Sequence, residues 1–267
     1  MDGVLVIVTG FGAFSGVEDN PSKRIVEHLL ATNFQCETSG VNFQYQILEV
    51  SVKCCSQIHD SYLLERANTQ IVTIFVHIGV DSGADSIKLE ECAYNNMDFR
   101  VPDIEGYQPL KAVISQNDVL DSPLRSSLPL AKLCDQINAS TSRTAATIPL
   151  PPPPPHPTSS ASGTTGGGNG NKVPTCWCPQ ICGGDATNSV DISTLPVVKL
   201  SQDPGRYLCN YVYYQALIHQ QSLQQPLYSL FVHVPSFATI DQSVQINAVK
   251  VLLNNLAKQA LDNTAVL

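Results

Sequence analysis

Short apolar runs alternate with amphipathic stretches along most of the chain. Apolar or alternating runs predict strands at residues 4–9, 41–52, 71–79, 195–200 and 227–235. The run "IVTIFVHIG" at residues 71–79 is almost wholly apolar and ends in glycine. Since runs of this kind suit a sheet that is covered on both faces, the pattern predicts a buried central sheet.

The stretches between these runs have the spacing of amphipathic helices. Helices are predicted at residues 54–67, 124–138, 207–220 and 240–261. A further helix begins in "NPSKRIVEHLLATN", where Asn20 can cap the first turn and Pro21 can occupy the first helical position. Because strands and helices alternate, we predict the α/β class with a largely parallel central sheet.

One segment, residues 140–191, departs from this alternation. It contains five consecutive prolines followed by a tract of Ser, Gly, Thr and Asn, a composition that favours extended and flexible chain. The residues after it hold only two predicted strands and two predicted helices, too few for a covered sheet of their own. We therefore predict one domain over residues 1–267, with residues 140–191 as a disordered insertion in it.

The charge balance and the cysteines narrow the choice of partners and compartment. The net charge is −8, from 15 basic and 23 acidic residues, and no basic patch stands out. Nucleic acid and anionic membrane are therefore poor candidates for partners. The apolar run in the start "MDGVLVIVTG" is too short for a signal peptide, and the second residue is acidic. No later apolar run could span a bilayer. We predict a cytoplasmic protein whose nine cysteines are reduced thiols.

The first predicted strand leads into a glycine-rich loop, "VTGFGAFSG". The glycine spacing differs from that of dinucleotide-binding loops, and no lysine follows as in a phosphate loop. Phe11 and Phe14 lie within the loop, where they either bind a flat apolar ligand or pack into the core. The residues alone do not decide between these two roles.

Three cysteines of the insertion raise the question of a metal site. Cys176, Cys178 and Cys182 could be combined with His156, but their spacing fits no common zinc pattern. We therefore expect neither a metal ion nor a cofactor.

Cys209 differs from the other cysteines by its position. The turn "SQDPGR" separates it from a predicted strand, and it lies in the first turn of the helix that follows. Free amides and the helix dipole stabilise a thiolate at such a place, and the same amides can bind an oxyanion. Cys209 is therefore a candidate nucleophile, which needs a base and a residue that orients the base.

Histidine is the usual base for such a nucleophile. His77 and His233 both lie near predicted strand ends, in "FVHIG" and "FVHVP", whereas the other four histidines lie in predicted helices or in the insertion. The carboxylates that follow "FVHIG" are Asp81, Asp85, Glu90, Glu91, Asp98 and Asp103. Spacing alone selects neither the base nor the carboxylate.

Four ordered motifs resemble the signatures of the pyroglutamyl peptidase I family. They are "VTGFGAFSGVEDNPS", "LEECAYNNMDFRVPD", "DPGRYLCNYVYY" and "SLFVHVP". The resemblance implies a cytosolic cysteine peptidase that removes an N-terminal pyroglutamate from small peptides. It also implies an open α/β/α sandwich, in agreement with the alternation of strands and helices, and no cofactor.

The same resemblance implies a role for each candidate in the reaction. Cys209 matches the family nucleophile, and His233 matches the base, which leaves His77 as a strand residue. Glu90, rather than Glu91, matches the carboxylate that orients the base.

The remaining matches concern the substrate. Arg100 matches the family arginine that supports the oxyanion. Phe11 and Phe14 match phenylalanines that bind the pyroglutamyl ring, and Asn20 matches an asparagine that orders their loop. The resemblance thus favours ligand binding over core packing for the two rings.

The chain departs from the family pattern at two places. The family's "DGP" is "DSP" here, at residues 121–123, which can alter a turn. The insertion precedes the strand that leads to Cys209, and it could shade the active site or displace that strand.

Two other functional classes remain open at this point. A catalytically silent protein that captures pyroglutamyl-blocked N-termini would keep every motif. A nucleoside- or nucleotide-using enzyme on a similar sheet is the other class, although the glycine-rich loop lacks the lysine of a phosphate loop.

Overall fold

The computed structural model describes residues 3–14, 16–64, 71–142, 195–222 and 226–264. Eight strands lie within them: β1 (Val4–Phe11), β2 (Val41–Leu48), β3 (Val72–Val80), β4 (Ile87–Glu90), β5 (Cys92–Tyr94), β6 (Pro123–Arg125), β7 (Val198–Ser201) and β8 (Leu227–Val234). Six of these strands form one sheet in the order β2-β1-β3-β8-β4-β7. The other two, β5 and β6, form a separate two-stranded sheet.

The central sheet is mostly parallel, as the alternation of elements predicted. β2, β1, β3 and β8 run in one direction. β4 is antiparallel to β8, and β7 is parallel to β4, so these two strands run in the opposite direction. The reversal was not predicted, because the pattern of a four-residue strand does not show its direction. It places the side chains of β4 directly beside those of β8.

Five helices within the described residues cover the sheet: α1 (Pro21–Ala31), α2 (Val52–Leu64), α3 (Leu130–Ser140), α4 (Leu208–Ser222) and α5 (Gln242–Thr264). α1, α3 and α5 pack on one face, and α2 and α4 pack on the other. Apolar side chains of both sheet faces are buried against these helices, which drives the layered packing. The predicted α/β/α sandwich is therefore confirmed.

One helix begins later than predicted. Residues 124–138 have a helical pattern, but the first of them belong to β6, which pairs with β5. α3 begins at Leu130, directly after Pro129. Pairing with a distant strand overrides the local helical pattern here, because tertiary contacts outweigh weak intrinsic propensity.

The two flanks of the predicted insertion are joined directly. Asn138 donates from Nδ2 to the carbonyl of Val198 at 2.9 Å and accepts from the amide of Val198 at 2.9 Å. β7 also pairs with β4 along its whole length. The strand that leads to Cys209 is thus held in the sheet rather than displaced.

Most of the insertion lies outside the described residues, because the description stops at 142 and resumes at 195. The alternative zinc ligands also lie outside it: Cys176, Cys178, Cys182 and His156. The disordered insertion and the single-domain organisation therefore stay predictions.

The described residues include five helices and six cysteines. None of these helices combines the length and the apolar composition that a membrane span requires. The six cysteines are free thiols: Cys36, Cys54, Cys55, Cys92, Cys134 and Cys209.

Candidate active site

Three neighbouring strands place a row of residues on the sheet face that α4 covers. Gly79 of β3 is paired with His233 of β8, and His233 is paired with Lys88 of β4. Side chains of paired residues point to the same face of a sheet. His233 therefore lies between a glycine on one side and a lysine on the other.

Glu90 lies on the same sheet face as these residues, two positions along β4 from Lys88. It is paired with Phe231, two residues before His233. Its side chain is fully buried, and its Oε1 atom lies 2.8 Å from Nδ1 of His233. Glu91 follows the end of β4, and its Oε2 accepts from Nε2 of Gln202 at 2.8 Å. Of the two glutamates, Glu90 contacts His233 and Glu91 contacts Gln202.

Cys209 is the second residue of α4. A turn precedes this helix, in which Gly205 has a φ of 76° and donates to the side chain of Asp203 at 3.1 Å. The carbonyl of Tyr207 accepts the first helical bond, from the amide of Tyr211 at 3.0 Å. The amides of the first turn, including that of Cys209, have no acceptor within the helix and point out of its N-terminal end.

Gly79 provides the space for the thiol beside His233. A Cβ atom on Gly79 would lie 2.9 Å from Sγ of Cys209 and 2.7 Å from Cζ of Phe231, closer than such atoms approach each other. A side chain at this position would push the thiol away from the imidazole. This role of Gly79 was not predicted, although a glycine at the end of an apolar strand was a signal for it.

Asn210 fixes the start of α4 and was also missed. Its Oδ1 accepts from the amide of Tyr94 at 2.7 Å, and its Nδ2 donates to the carbonyls of Tyr94 and Asn96 at 2.8 and 2.9 Å. A fully buried side chain with three such bonds attaches the helix start to β5. Its position next to Cys209 was the available signal.

The pKa of His233 reflects its two partners. Burial opposes a charge on the imidazole, but the charge and the hydrogen bond of Cys209, together with those of Glu90, raise the pKa to about 10. The imidazolium form is thus strongly favoured when the thiol has given up its proton. This arrangement is typical of an activated cysteine nucleophile.

The glycine-rich loop is held by a buried network around Asn20. Asn20 donates to the carbonyl of Gly12 at 3.0 Å and accepts from the amide of Ser22 at 3.0 Å. The hydroxyl of Ser22 in turn accepts from the amide of Phe11 at 3.0 Å. Phe11 is buried, whereas Phe14 is half-buried with its ring 6.4 Å from that of Tyr207.

All but one of the predicted site residues line a single cleft of about 750 Å³. They are Phe11, Phe14, Asn20, Arg100, Cys209 and His233. Glu90 is the exception, because it lies buried behind His233. Arg100 is exposed at the mouth of the cleft. Its loop is attached to the start of α2, where Asp103 accepts from the amide of Val52 at 2.9 Å.

His77 lies outside this cleft lining, in a buried polar cluster below it. Its Nδ1 atom lies 2.7 Å from the hydroxyl of Thr9, and its Nε2 atom lies 3.1 Å from Nε2 of His59. Burial lowers the pKa of His77 to about 3, so the ring is neutral at physiological pH. His77 thus makes its contacts within this buried cluster, whereas His233 lines the cleft together with Cys209.

The "DSP" departure leaves no strained backbone at Ser122. The left-handed conformation belongs to Asp121, which has a φ of 63°, a region that aspartate tolerates better than most residues. Oδ1 of Asp121 accepts from Asn96 and from Arg206, both at 3.0 Å. The altered turn therefore still supports the segment that leads to Cys209.

Metal binding finds no support among the described residues. No group of three or more His, Cys, Asp or Glu side chains in these ranges is placed to hold a metal ion.

Solved structures of pyrrolidone carboxyl peptidases share this fold. The enzyme from Thermococcus litoralis matches with a TM-score of 0.67 at 20% identity, covering 98% of this chain and 96% of that chain. The enzyme from Fervidobacterium islandicum matches with a TM-score of 0.65 at 21% identity, covering 96% and 99%.

Sequence comparisons point to the same group of proteins. The pyrrolidone-carboxylate peptidase of Thermococcus litoralis is 26% identical over 231 residues, which are 86% of this chain and 76% of the relative. That of Pyrococcus furiosus is 25% identical over 234 residues, which are 86% and 80%. A sequence model of the pyroglutamyl peptidase family matches residues 4–146 and 185–254, and the gap between them falls within the predicted insertion. The chain therefore belongs to the pyroglutamyl peptidase family, as its four motifs predicted.

Proposed function

We propose that Cys209, His233 and Glu90 form a catalytic triad that hydrolyses the amide bond after an N-terminal pyroglutamate. The observation that carries this proposal is one imidazole placed between a thiol and a buried carboxylate, in a member of the pyroglutamyl peptidase family. Glu90 binds Nδ1 of His233, which leaves the other ring nitrogen for the thiol.

The reaction proceeds in two stages. His233 takes the proton of the Cys209 thiol, and the thiolate attacks the carbonyl carbon that joins pyroglutamate to the next residue. The imidazolium then protonates the leaving nitrogen, the carbon–nitrogen bond breaks, and a thioester remains. In the second stage His233 takes a proton from water, the resulting hydroxide attacks the thioester, and pyroglutamate and the thiol are released. Glu90 stabilises the imidazolium in both stages.

The oxyanion of each stage is stabilised by fixed donors. The amide of Cys209 has no acceptor within α4, so it is free to bond the developing negative charge. The guanidinium of Arg100 at the cleft mouth supplies a second, positively charged donor.

Phe11 and Phe14 bind the pyroglutamyl ring. A lactam is flat and carries no charge, so aromatic walls with a few hydrogen bonds are sufficient to bind it. Phe11 packs with its ring 6.3 Å from that of Phe231, which fixes the floor of the slot. Asn20 keeps the loop in place through its bonds to Gly12 and Ser22.

The test of this function is a comparison of pyroglutamyl and prolyl substrates. We expect kcat/KM for a pyroglutamyl amide to exceed that for the prolyl amide by about 10⁴ or more, since proline leaves the groups that bond the lactam unpaired. Proline also brings a charged amine into an apolar slot. Comparable cleavage of both amides would contradict the proposed pocket, and cleavage of neither would contradict the function.

The adjacent glutamates offer a matched pair of variants. We expect Glu90→Gln to lower kcat by about 10²-fold or more, because an amide cannot stabilise the imidazolium as a carboxylate does. Glu91→Gln is expected to retain its activity, since Glu91 faces Gln202 at the surface. Both variants are measured on the same pyroglutamyl anilide, and equal losses would show that the register of the site is different.

The comparisons do not favour the silent-binder and nucleotide-enzyme alternatives. A silent binder would hold pyroglutamyl peptides without turnover, so the same assay with the wild-type protein separates it from a peptidase. A cytoplasmic location stays a prediction that rests on the composition of the sequence.

A further inference from the structure

We propose that Lys88, held by Asp81, binds the carbonyl or carboxylate oxygen of the residue that follows pyroglutamate. Lys88 would thereby determine which peptides are cleaved well. The inference rests on the proposed function, and it adds to that function a binding position for the leaving part of the substrate.

The order of the strands sets the direction of the substrate across the site. Thr9 of β1 is paired with His77 of β3, so Phe11 and Gly79 follow two residues later on the same sheet face. Gly79 is paired with His233, and His233 with Lys88. The row therefore runs from the ring-binding Phe11, past Gly79 with the thiol above it, to His233 and then Lys88.

The chemistry fixes which part of the substrate lies where along this row. The acyl group stays on Cys209, beside Gly79 and near Phe11. The leaving nitrogen must lie next to His233, because it receives its proton from the imidazolium. The residue attached to that nitrogen then continues away from Phe11, in the direction of β4.

Lys88 is within reach of that residue. Adjacent strands lie about 4.8 Å apart, and one residue of extended chain spans about 3.5 Å. The carbonyl group of the leaving residue therefore falls near the strand on which Lys88 lies. Lys88 also lines the same cleft as Cys209 and His233.

Asp81 holds the lysine in this position. Its Oδ2 atom lies 2.7 Å from Nζ of Lys88, and both side chains are partly exposed to the cleft, at 37% and 29%. Asp81 is itself fixed, because its amide donates to Val234 at 2.9 Å and its Oδ1 accepts from Gly83 at 3.1 Å. An ammonium group has three donors, so Lys88 can bind Asp81 and still donate to a substrate oxygen.

A free carboxylate is the best partner for such a donor. In a pyroglutamyl dipeptide the oxygen in question belongs to a carboxylate, in the dipeptide amide it belongs to a neutral carbonyl, and in a p-nitroanilide it is missing. Charged hydrogen bonds are stronger than neutral ones. We therefore expect Lys88 to favour the dipeptide most, the amide less and the anilide not at all.

The experiment compares Lys88→Met with Lys199→Met on pyroglutamyl-alanine, pyroglutamyl-alanine amide and pyroglutamyl p-nitroanilide. Lys199 is the matched control, because it is paired with Lys88 on the neighbouring strand but binds Asp85 at 3.0 Å and does not line the cleft. An effect of Lys88→Met on folding changes kcat/KM for all three substrates by the same factor. An effect on His233 changes it about equally for the dipeptide and its amide, because both release an aliphatic amine, whereas nitroaniline needs less help from the imidazolium. The ratio of dipeptide to dipeptide amide is therefore the measurement.

We expect this ratio to fall about five-fold or more in Lys88→Met, because a charged hydrogen bond to the substrate is lost. The effect is smaller than for a fully buried bond, because Lys88 is partly exposed to solvent. The ratio should not change in Lys199→Met. An unchanged ratio in Lys88→Met, or an equal fall in both variants, would overturn the role of Lys88.

A comparison within the wild-type protein tests the same point without any variant. Adding salt should lower kcat/KM for the dipeptide more than for its amide, because salt screens a partly exposed ion pair. Equal salt effects on the two would count against Lys88 as the recognition element. A wild-type protein that cleaves none of the three substrates would instead contradict the proposed function itself.

Discussion

Cys209→Ala and Cys209→Ser are expected to lose nearly all turnover of pyroglutamyl substrates, with kcat reduced by at least about 10⁴-fold. Alanine has no nucleophile, and a serine hydroxyl is far less acidic than a thiol, so His233 cannot activate it in the same way. The fold should remain intact, because Asn210 still attaches the start of α4 to β5. Turnover is measured with a pyroglutamyl anilide, and folding by circular dichroism.

Another cysteine provides the control for this variant. Cys54 lies in α2, is half-buried and packs in the same apolar cluster as Cys209. Cys54→Ala should therefore show nearly full activity. Iodoacetamide should also label Cys209 faster than the other eight cysteines of the chain. Normal turnover in Cys209→Ala would rule out the covalent mechanism.

Most elements of the fold could be predicted, because the apolar residues recur with the spacing of a strand or a helix and the runs end at residues such as glycine or proline. β1 and β3 are buried, mostly apolar strands that end near glycine, and α1 begins at Pro21 directly after its cap, Asn20. The directions of β4 and β7 could not be predicted, since they depend on the pairing of β4 with β8 and of β7 with β4, and not on any local pattern.

The choice between Glu90 and Glu91 depends on the pairing register of β4, which the residue pattern alone does not give. Glu90 is the last residue of β4 and contacts the imidazole, whereas Glu91 follows the strand and binds Gln202. The local sequence does not say which face of β4 meets α4. That face is set by the pairing of Glu90 with Phe231.

The choice between His77 and His233 depends on depth within the sheet. Both histidines follow an identical "FV" dipeptide, and both lie on the face that α2 and α4 cover. His77 is paired with Phe231, one step deeper than His233, and it is enclosed by Thr9 and His59. Chain spacing carries no information on this depth, because it follows from how β3 and β8 are aligned.

His233→Ala should be nearly as inactive as Cys209→Ala, because a base and its nucleophile act as one unit. His77→Ala should retain most of its turnover per folded molecule, since His77 makes its hydrogen bonds with Thr9 and His59. Truncating a buried, hydrogen-bonded ring leaves partners unsatisfied, so His77→Ala should lose about 1–3 kcal/mol of stability against unfolding. Activity and urea unfolding are measured on both variants, and a loss of turnover in His77→Ala equal to that in His233→Ala would contradict the assignment of the base.

The pKa of His233 provides a second test of its role as the base, because a purely structural histidine would not respond to the loss of the Cys209 thiol. With Cys209 present, its charge and hydrogen bond help to raise the pKa of His233 to about 10 against the opposing effect of burial. In Cys209→Ala the contribution of the thiol to offsetting burial is lost, so the pKa of His233 should be lower than in the wild-type protein. NMR titration of the imidazole in both proteins measures the difference. An unchanged pKa would mean that the thiol and the imidazole do not interact, and that His233 is not the base of Cys209.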